Sequence, residues 1–231
     1  MISWNQKEVL FKGISYYIYR YNIKSVLDIG AGDGTLADKI SHIVNKYLAV
    51  ERDNKKVSIL KTSGLNVVKG EFPSVKISKK YDLVLSSHSI PENTKTLEKF
   101  IRTAWQLVKP AGILLIVTFK GGKGDEFKLI RELEGKSVEL NELIFKRTMC
   151  ILQELGKPKI KKRISNIETT SLQEMLEVVL FSLAAEGKST RYKKEVEDLL
   201  KRDFKQSNKY SLSYEHLFIA MQKNHPHAAL K

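Results

Sequence analysis

The 231 residues include only one cysteine, five prolines and two tryptophans. Cys150 alone can form neither an internal disulfide nor a cysteine-based zinc site, which is typical of a reducing compartment. The longest aliphatic run, from Ile113 to Val117, is far too short to cross a bilayer. Lys7, Lys12 and Arg20 interrupt the first twenty residues, so these do not form the apolar stretch of a secretory signal. We therefore expect a cytoplasmic protein without a membrane segment.

Acidic residues are scarce relative to basic ones. The chain has 40 Lys and Arg against 26 Asp and Glu, which gives a net charge of +14. The excess is spread along the chain and is mostly lysine, whereas arginine is the preferred side chain for bidentate recognition of phosphates and bases. A solvated lysine-rich surface is the simpler interpretation. Nucleic-acid binding is the alternative, most directly through the basic stretch from Lys157 to Arg163.

Hydrophobic periodicity alternates between short apolar runs and amphipathic segments in the first half of the chain. Ser3 and Gln6 have the spacing of a capping box and predict a helix over residues 3–21. Strands are predicted at 25–29, 47–50, 67–68, 81–86 and within KPAGILLIVTF, with helices between them at about 36–44, 53–62 and 97–108. The continuous apolar character of the last strand is typical of a parallel sheet covered on both faces.

The second half of the chain is less regular. The glycines of GGKGDEFKLI predict a loop, followed by helices near 125–134 and 139–155 and by a basic strand from Lys159 to Glu168. Ser171 and Glu174 have capping-box spacing and open a predicted helix. A further helix is expected over about 192–204, and a last strand in YEHLFIAMQK.

The segment SVLDIGAGDGTLA carries the strongest chemical signal. Gly30, Gly32 and Gly34 form G-x-G-x-G, whereas a dinucleotide fingerprint requires G-x-G-x-x-G and a phosphate loop requires Gly-Lys-Ser/Thr. Glycines let the backbone approach a ligand closely, and N–H groups at the start of the next helix suit a carboxylate. Asp28 can meet an ammonium group, and Glu51, at the end of the next strand, can accept both hydroxyls of a ribose. A ligand that consists of an amino acid joined to a nucleoside would satisfy both the glycine turn with Asp28 and the ribose-binding position at Glu51.

In these residues and in the motifs that follow them, the chain resembles the class I S-adenosylmethionine-dependent methyltransferases. LDIGAGDG is similar to the family's first motif, AVERD to the second, VKGEF to the third, and YDLVLSSHSI followed by LVKPAGILLIV to its fourth and fifth strands. The resemblance implies a Rossmann-like α/β fold with seven strands, mostly parallel with an antiparallel last strand, and a helical cap. It implies one methyltransferase domain over 1–231, with a lid helix at 1–21, a cofactor core at 22–120, a cap insertion at 171–208 and the last strand at 214–223.

The resemblance also implies S-adenosylmethionine as cofactor and a role for each matching position. The methionine part would lie against Asp28, Gly30, Ala31 and Gly32. Glu51 would hold the ribose, and Arg52, Glu71 and Phe72 would lie beside the adenine. The family often has Asp where this chain has Glu71. Ser86, Ser87 and His88 would stand between cofactor and substrate, with Ser86 and Ser87 among the cofactor-binding residues and His88 on the substrate side.

The methyl acceptor is harder to infer from the sequence. Enzymes that methylate amino groups of DNA, rRNA adenine or protein glutamine carry Asn/Asp-Pro-Pro-Tyr after the fourth strand, whereas this chain has SSHSIPE. The carboxylate pattern of a catechol-type metal site is missing as well, so no metal is implied. His88 is a candidate general base, although a role as pocket wall or no contact at all is equally compatible with its position.

Aromatic residues are concentrated in the first predicted helix, where Tyr16 and Tyr17 are candidate substrate-binding residues of a lid. We expect methyl transfer to an oxygen or nitrogen atom of a small molecule. The alternatives are a tRNA or rRNA methyltransferase that uses the basic surface, and a cofactor-binding module without catalysis. The oligomeric state is not readable from the sequence.

Overall fold

The structure of the protein is a computed structural model, which describes residues 2–119, 124–134, 137–184 and 192–224. Residues 121–123 of the predicted glycine loop and residues 185–191 of the predicted cap lie outside these ranges. The strands are β1 (Ser3–Trp4), β2 (Ser25–Ile29), β3 (Lys46–Glu51), β4 (Val67–Lys69), β5 (Tyr81–Ser87), β6 (Val108–Phe119), β7 (Lys159–Thr169), β8 (Lys205–Gln206) and β9 (Lys209–Gln222). The helices are α1 (Gln6–Arg20), α2 (Thr35–Ser41), α3 (Asn54–Thr62), α4 (Thr94–Gln106), α5 (Asp125–Glu134), α6 (Ser137–Leu155), α7 (Leu172–Ala184) and α8 (Lys193–Asp203).

The strands follow the order β1-β7-β9-β6-β5-β2-β3-β4, and β8 pairs with β9. The ladders of β2 with β3 and β5, of β3 with β4 and of β5 with β6 are parallel. Lys223, just after β9, bonds to Gly112 near the start of β6, whereas Tyr214 early in β9 lies 6.3 Å from Phe119 at the end of β6. β9 therefore runs antiparallel to β6. The predicted mixed α/β fold with an antiparallel last strand is confirmed. The described residues form nine strands instead of the predicted seven, because the two-residue strands β1 and β8 join the sheet, and the last strand begins earlier than predicted.

Two compact units divide the chain. The larger contains 10–118, 144–163 and 217–231 and thus β2–β5, most of β6 and the predicted cofactor core. Its strands alternate in period two: Val26 and Leu83 belong to one hydrophobic core, with α1 and α2, and Leu27 and Val84 to another, with α4 and α6. Both faces of the sheet are thus covered, which explains the uninterrupted apolar run from Ile113 to Val117 in β6.

The smaller unit contains 1–9, 119–143 and 164–216, and it includes the predicted cap insertion. Its own core joins residues of α5, α7, α8 and β9. The predicted capping box of α7 is present, because the Ser171 hydroxyl accepts a hydrogen bond from the Glu174 N–H at 3.2 Å. The predicted box at Ser3 and Gln6 is wrong: Ser3 lies in β1, paired with Glu168, and the first turn of α1 closes on the Asn5 carbonyl.

Candidate functional site

The glycine turn follows β2 at the carboxyl edge of the larger unit's sheet. Gly30, Gly32 and Gly34 all have positive φ, at 76°, 64° and 82°, a conformation that favours glycine. A Cβ at Gly32 would have no neighbour closer than the Gly30 carbonyl oxygen at 4.0 Å, so the backbone there is open to a ligand. The Thr35 N–H, first in α2, is already bonded to the Asp33 carboxylate at 3.1 Å.

Glu51 ends β3 directly beside this turn, and its side chain is buried. One carboxylate oxygen accepts the Gly32 N–H at 2.9 Å. The other accepts the N–H groups of Arg52 at 2.9 Å and Asp53 at 3.0 Å. A carboxylate offers about four acceptor positions, so these three bonds fix its orientation and leave capacity for a hydroxyl.

Asp28 lies in β2, two residues before Gly30, and only 2% of its surface is exposed. The Tyr47 hydroxyl on the neighbouring strand donates to its carboxylate at 2.6 Å. Burial, followed by the charge of Asp28 and this hydrogen bond, raises the pKa of Tyr47 well above its usual value, so the phenol stays protonated. Tyr47 was not anticipated from the sequence, where it reads only as an apolar strand residue.

The predicted adenine-side residues separate into two environments. Arg52 and Glu71 are exposed and form an ion pair with an N–O distance of 3.3 Å. Phe72 is buried and packs edge-to-face on Phe100 with ring centroids 5.0 Å apart. The exposed pair is open to a ligand, whereas the Phe72 ring belongs to the core.

The loop after β5 is held against the glycine turn. Ser86 is fully buried, and its hydroxyl lies 2.9 Å from that of Ser89, which donates in turn to the Ile29 carbonyl. A Cβ at Gly30 would lie 2.4 Å from the Ser89 Cβ. Ser89 was not predicted from the sequence, where the third serine of SSHSIPE is the one feature that indicates close packing on a glycine.

His88 and Ser87 are half-buried in the same loop. His88 has a φ of 53°, which is uncommon outside glycine, and its N–H donates to the Val117 carbonyl at 2.8 Å. The structure therefore brings together Asp28, Gly30, Ala31, Gly32, Glu51, Ser86, Ser87 and His88 at one edge of the sheet.

Tyr16 and Tyr17 of α1 belong to a different cluster. The Lys161 ammonium lies 3.8 Å from the Tyr16 ring centroid, and Lys161, then Arg20, lowers the pKa of this phenol. Tyr17 is buried in the core, and burial, followed by the neighbouring phenols Tyr16 and Tyr21, raises its pKa to about 12. Its hydroxyl has no hydrogen-bond partner among the described residues.

In the parts of the chain that the structure describes, no helix is long and apolar enough to cross a membrane. Within the same residues, His, Cys, Asp and Glu form no group of three or more able to hold a metal ion.

Comparison with known proteins gives the same family as the sequence motifs. A family model of the methyltransferase domain matches residues 6–149. Protein BH2331 of Bacillus halodurans superposes with a TM-score of 0.58 at 14% identity, covering 92% of this chain and 99% of that one. YcgJ from Bacillus subtilis gives 0.57 at 16% identity, covering 92% and 98%. The O-methyltransferase from Bacillus cereus in complex with SAH gives 0.55 at 10% identity, covering 93% and 80%.

No match was found among curated proteins. The structural matches establish the fold, and the family model spans more than half of the chain. The chain therefore belongs to the methyltransferase domain family and is an S-adenosylmethionine-dependent class I methyltransferase.

Proposed function

We propose that this enzyme transfers the methyl group of S-adenosylmethionine to an oxygen or nitrogen atom of a small molecule. The observation that carries the proposal is the joined arrangement at the carboxyl edge of the sheet. There the Gly32 N–H bonds to Glu51, and Ser89 holds the loop after β5 on the glycine turn. The small acceptor is supported by SSHSIPE, which departs from the Asn/Asp-Pro-Pro-Tyr of amino-group methylation on nucleic acid.

The residues of this edge fit the two ends of the cofactor. The glycine turn of Gly30, Ala31 and Gly32, whose backbone is open at Gly32, would receive the methionine part, with the buried Asp28 carboxylate behind it. Glu51 would accept ribose hydroxyls with its remaining capacity. The adenine would lie along the exposed pair of Arg52 and Glu71, with the buried Phe72 ring supporting that side from the core. Together with Ser86 and Ser87, these are the cofactor-binding residues predicted from the sequence.

The bound cofactor supplies a methyl group on a sulfonium, which the acceptor displaces in line as its bond to carbon forms and the carbon–sulfur bond breaks. The protein contributes position and, for a weak nucleophile, a base. Ser86 and Ser87 end β5 at this edge, where they would contact the cofactor, and His88 follows on the acceptor side. The backbone bond to Val117 fixes the His88 main chain, and the imidazole would take the acceptor proton.

Cofactor binding is tested by titrating S-adenosylhomocysteine, the demethylated product, into wild type and Glu51→Ala in a calorimeter. Losing charged hydrogen bonds to the ribose costs about 1.5 to 3 kcal/mol, which is roughly 10- to 150-fold in affinity. Glu154→Ala, an exposed carboxylate paired with Arg102, is the matched control and should bind like wild type. The absence of binding by wild type, or equal affinity in Glu51→Ala, would contradict the assignment.

The acceptor is tested by incubating the enzyme and a labelled methyl donor with cell extract separated into small-molecule and RNA fractions. Label in the small-molecule fraction is expected. Label in RNA would support the second candidate, a tRNA or rRNA methyltransferase, which the net charge of +14 and the basic stretch from Lys157 to Arg163 favour. Binding of S-adenosylhomocysteine without transfer to either fraction would support the non-catalytic module.

The role of His88 is tested on the acceptor so identified. His88→Ala should lower turnover by about 10²- to 10⁴-fold if the imidazole takes the proton. His42→Ala, at an exposed histidine of the α2 C-terminus, is the control. Near-normal turnover of His88→Ala would remove the base from the mechanism.

A further inference from the structure

Lysines cluster at the amino edge of the sheet, where its parallel strands begin. Lys24 directly precedes β2, Lys46 begins β3 and Lys80 directly precedes β5. The parallel ladders bring these positions together, because Ser25 is paired with Lys46 and Val26 with Leu83. Residues separated by more than fifty positions in the sequence thus lie along one edge.

These lysines lack acidic partners. Lys24, Lys46 and Lys80 are exposed, and none has a carboxylate within 4.0 Å among the residues that the structure describes. Asp82 lies among them but is already occupied, because it accepts the Lys24 and Ser25 N–H groups and the Lys109 ammonium. Positive charge is therefore left uncompensated at this edge.

Two arginines elsewhere in the larger unit have carboxylate partners. Arg102 bonds to both Glu98 and Glu154, and Arg147 bonds to Glu98 at 2.8 Å. Lysines without a carboxylate partner among the described residues also occur elsewhere in this unit, as at Lys61, Lys95 and Lys99, so the amino edge is distinguished by the alignment of its cations along one side of the sheet.

The basic edge continues onto β7 and α1. The start of β7 lies at the same end of the sheet, because a Cβ at Gly156 would be 3.1 Å from the Met221 side chain, two residues before Lys223. Lys159, Lys161 and Arg163 alternate along β7 and so share one face. On that face Lys161 lies over the Tyr16 ring, which it contacts without being neutralised.

Arg20 at the end of α1 completes this group. Its guanidinium carbon lies 5.9 Å from the Tyr16 ring centroid and 5.7 Å from that of Tyr21. Aromatic rings therefore position the cations while leaving their charge available to an anion.

We propose that this amino-edge surface binds the phosphate backbone of single-stranded RNA. The cations extend from β3 to β7, five strand steps apart, or about 24 Å at ~4.8 Å per step. A row of this length suits a linear polyanion better than a single phosphate. The phenolic oxygens of Tyr16 and Tyr21 lie within the row, where they can bond to the 2′-hydroxyl that distinguishes RNA from DNA. The glycine turn lies at the opposite edge, so the proposal concerns binding and holds for either class of acceptor.

Two simpler roles do not account for the surface. Lysines often protect edge strands from pairing with other chains, but β2, β3 and β5 are interior strands of this sheet. Binding to an anionic membrane by an amphipathic helix needs an exposed apolar face, whereas Leu10, Ile14 and Ile18 of α1 are buried. An RNA backbone requires only the exposed cations.

The test compares two triple variants with equal charge. Lys24→Glu, Lys46→Glu and Lys80→Glu are combined in one protein, and Lys61→Glu, Lys95→Glu and Lys99→Glu, on exposed positions of α3 and α4, in the other. Three reversals of two charges each lower the net charge from +14 to +8 in both. Binding of a fluorescent oligouridylate of about 20 nucleotides is measured by anisotropy over a salt series.

We expect wild type to bind the RNA at low salt and the amino-edge triple to bind at least about tenfold more weakly. Its slope of log affinity against log salt should fall by about 2, because each lost phosphate contact contributes about 0.7. The control triple should stay within about threefold of wild type. Titration with S-adenosylhomocysteine should give wild-type affinity in both triples, which shows that they are folded.

Three results would overturn the proposal: no RNA binding by wild type, equal weakening in the two triples, or tighter binding to duplex DNA or phosphatidylserine vesicles than to RNA. Failure of wild type to bind S-adenosylhomocysteine would instead contradict the proposed cofactor site. The two proposals can therefore fail separately.

Discussion

The two edges of the parallel sheet use their polar groups in opposite ways. At the carboxyl edge Asp28 and Glu51 are buried, and directed donors hold both carboxylates in one orientation. At the amino edge Lys24, Lys46 and Lys80 are exposed and lack carboxylate partners in the described part of the chain. A fixed, buried carboxylate suits a small ligand bound in one pose, whereas mobile surface cations attract a large anion without specifying its position. One fold can therefore carry a precise site and a diffuse one without interference.

The largest effect is expected at the carboxyl edge, from Gly30→Ala. The new Cβ would meet the Ser89 side chain at 2.4 Å, and the backbone would be strained at a φ of 76°. Strain of about 1 to 2 kcal/mol plus the clash should lower affinity for S-adenosylhomocysteine by at least about 100-fold in calorimetry. Gly64→Ala is the matched control, because its φ is 75° and no atom lies within 4 Å of the new Cβ. Equal affinities in the two variants would show that the turn does not need its packing on Ser89.

A buried pair outside both edges should dominate the acid sensitivity of the smaller unit. His216 is fully buried with Nε2 2.7 Å from the Ser165 hydroxyl, and burial lowers its pKa to about 4. Between an unfolded value of about 6.5 and this value, the unfolded state binds the proton more strongly, so stability falls as pH falls. From pH 7.5 to 4.5 the loss should be about 2 to 3 kcal/mol.

Urea unfolding at both pH values checks this titration. His216→Gln should remove this part of the pH dependence, whereas Ser165→Ala, which keeps the imidazole buried, should retain it. If His216→Gln kept the full pH dependence of stability, the titrating group would be a different residue. The amino-edge triple should lose stability with acid as wild type does, which separates the edges from this pair.

The smallest of these effects is expected at the amino edge, from Asp82→Ala. Removing the carboxylate leaves the Ser25 N–H and the Lys109 ammonium without their acceptor, at a cost of about 2 kcal/mol in urea unfolding at neutral pH. Glu154→Ala, which breaks an exposed pair with Arg102, should cost less than about 1 kcal/mol. Similar losses of stability in both variants would mean that Asp82 contributes no more than an exposed surface ion pair.

Local sequence patterns were sufficient to predict most of the fold. The glycine spacing from Gly30 to Gly34 and the position of Glu51 predicted a turn and a carboxylate that the structure places together. Ser171 and Glu174 were identified as a capping box because the motif lies within four residues. The same rule gave a wrong prediction at Ser3, because the pairing of this residue with β7 outweighs a local helix cap.

Contacts between distant residues could not be predicted in this way. Ser89 packs on Gly30 across 59 positions, and Tyr47 reaches Asp28 from the neighbouring strand. The lysine excess is spread through the sequence, where solvated surface was the simplest interpretation, and only the basic stretch near Lys157 indicated an interaction.

The sequence by itself determined the alternation of strands and helices, the glycine turn and the family, because hydrophobic period and motif spacing act over a few residues. The tertiary structure decided which side chains share an edge. Parallel strands must all begin at one end of the sheet and finish at the other, so pairing gathers the lysines before the strands on one side and the carboxylates after them on the other.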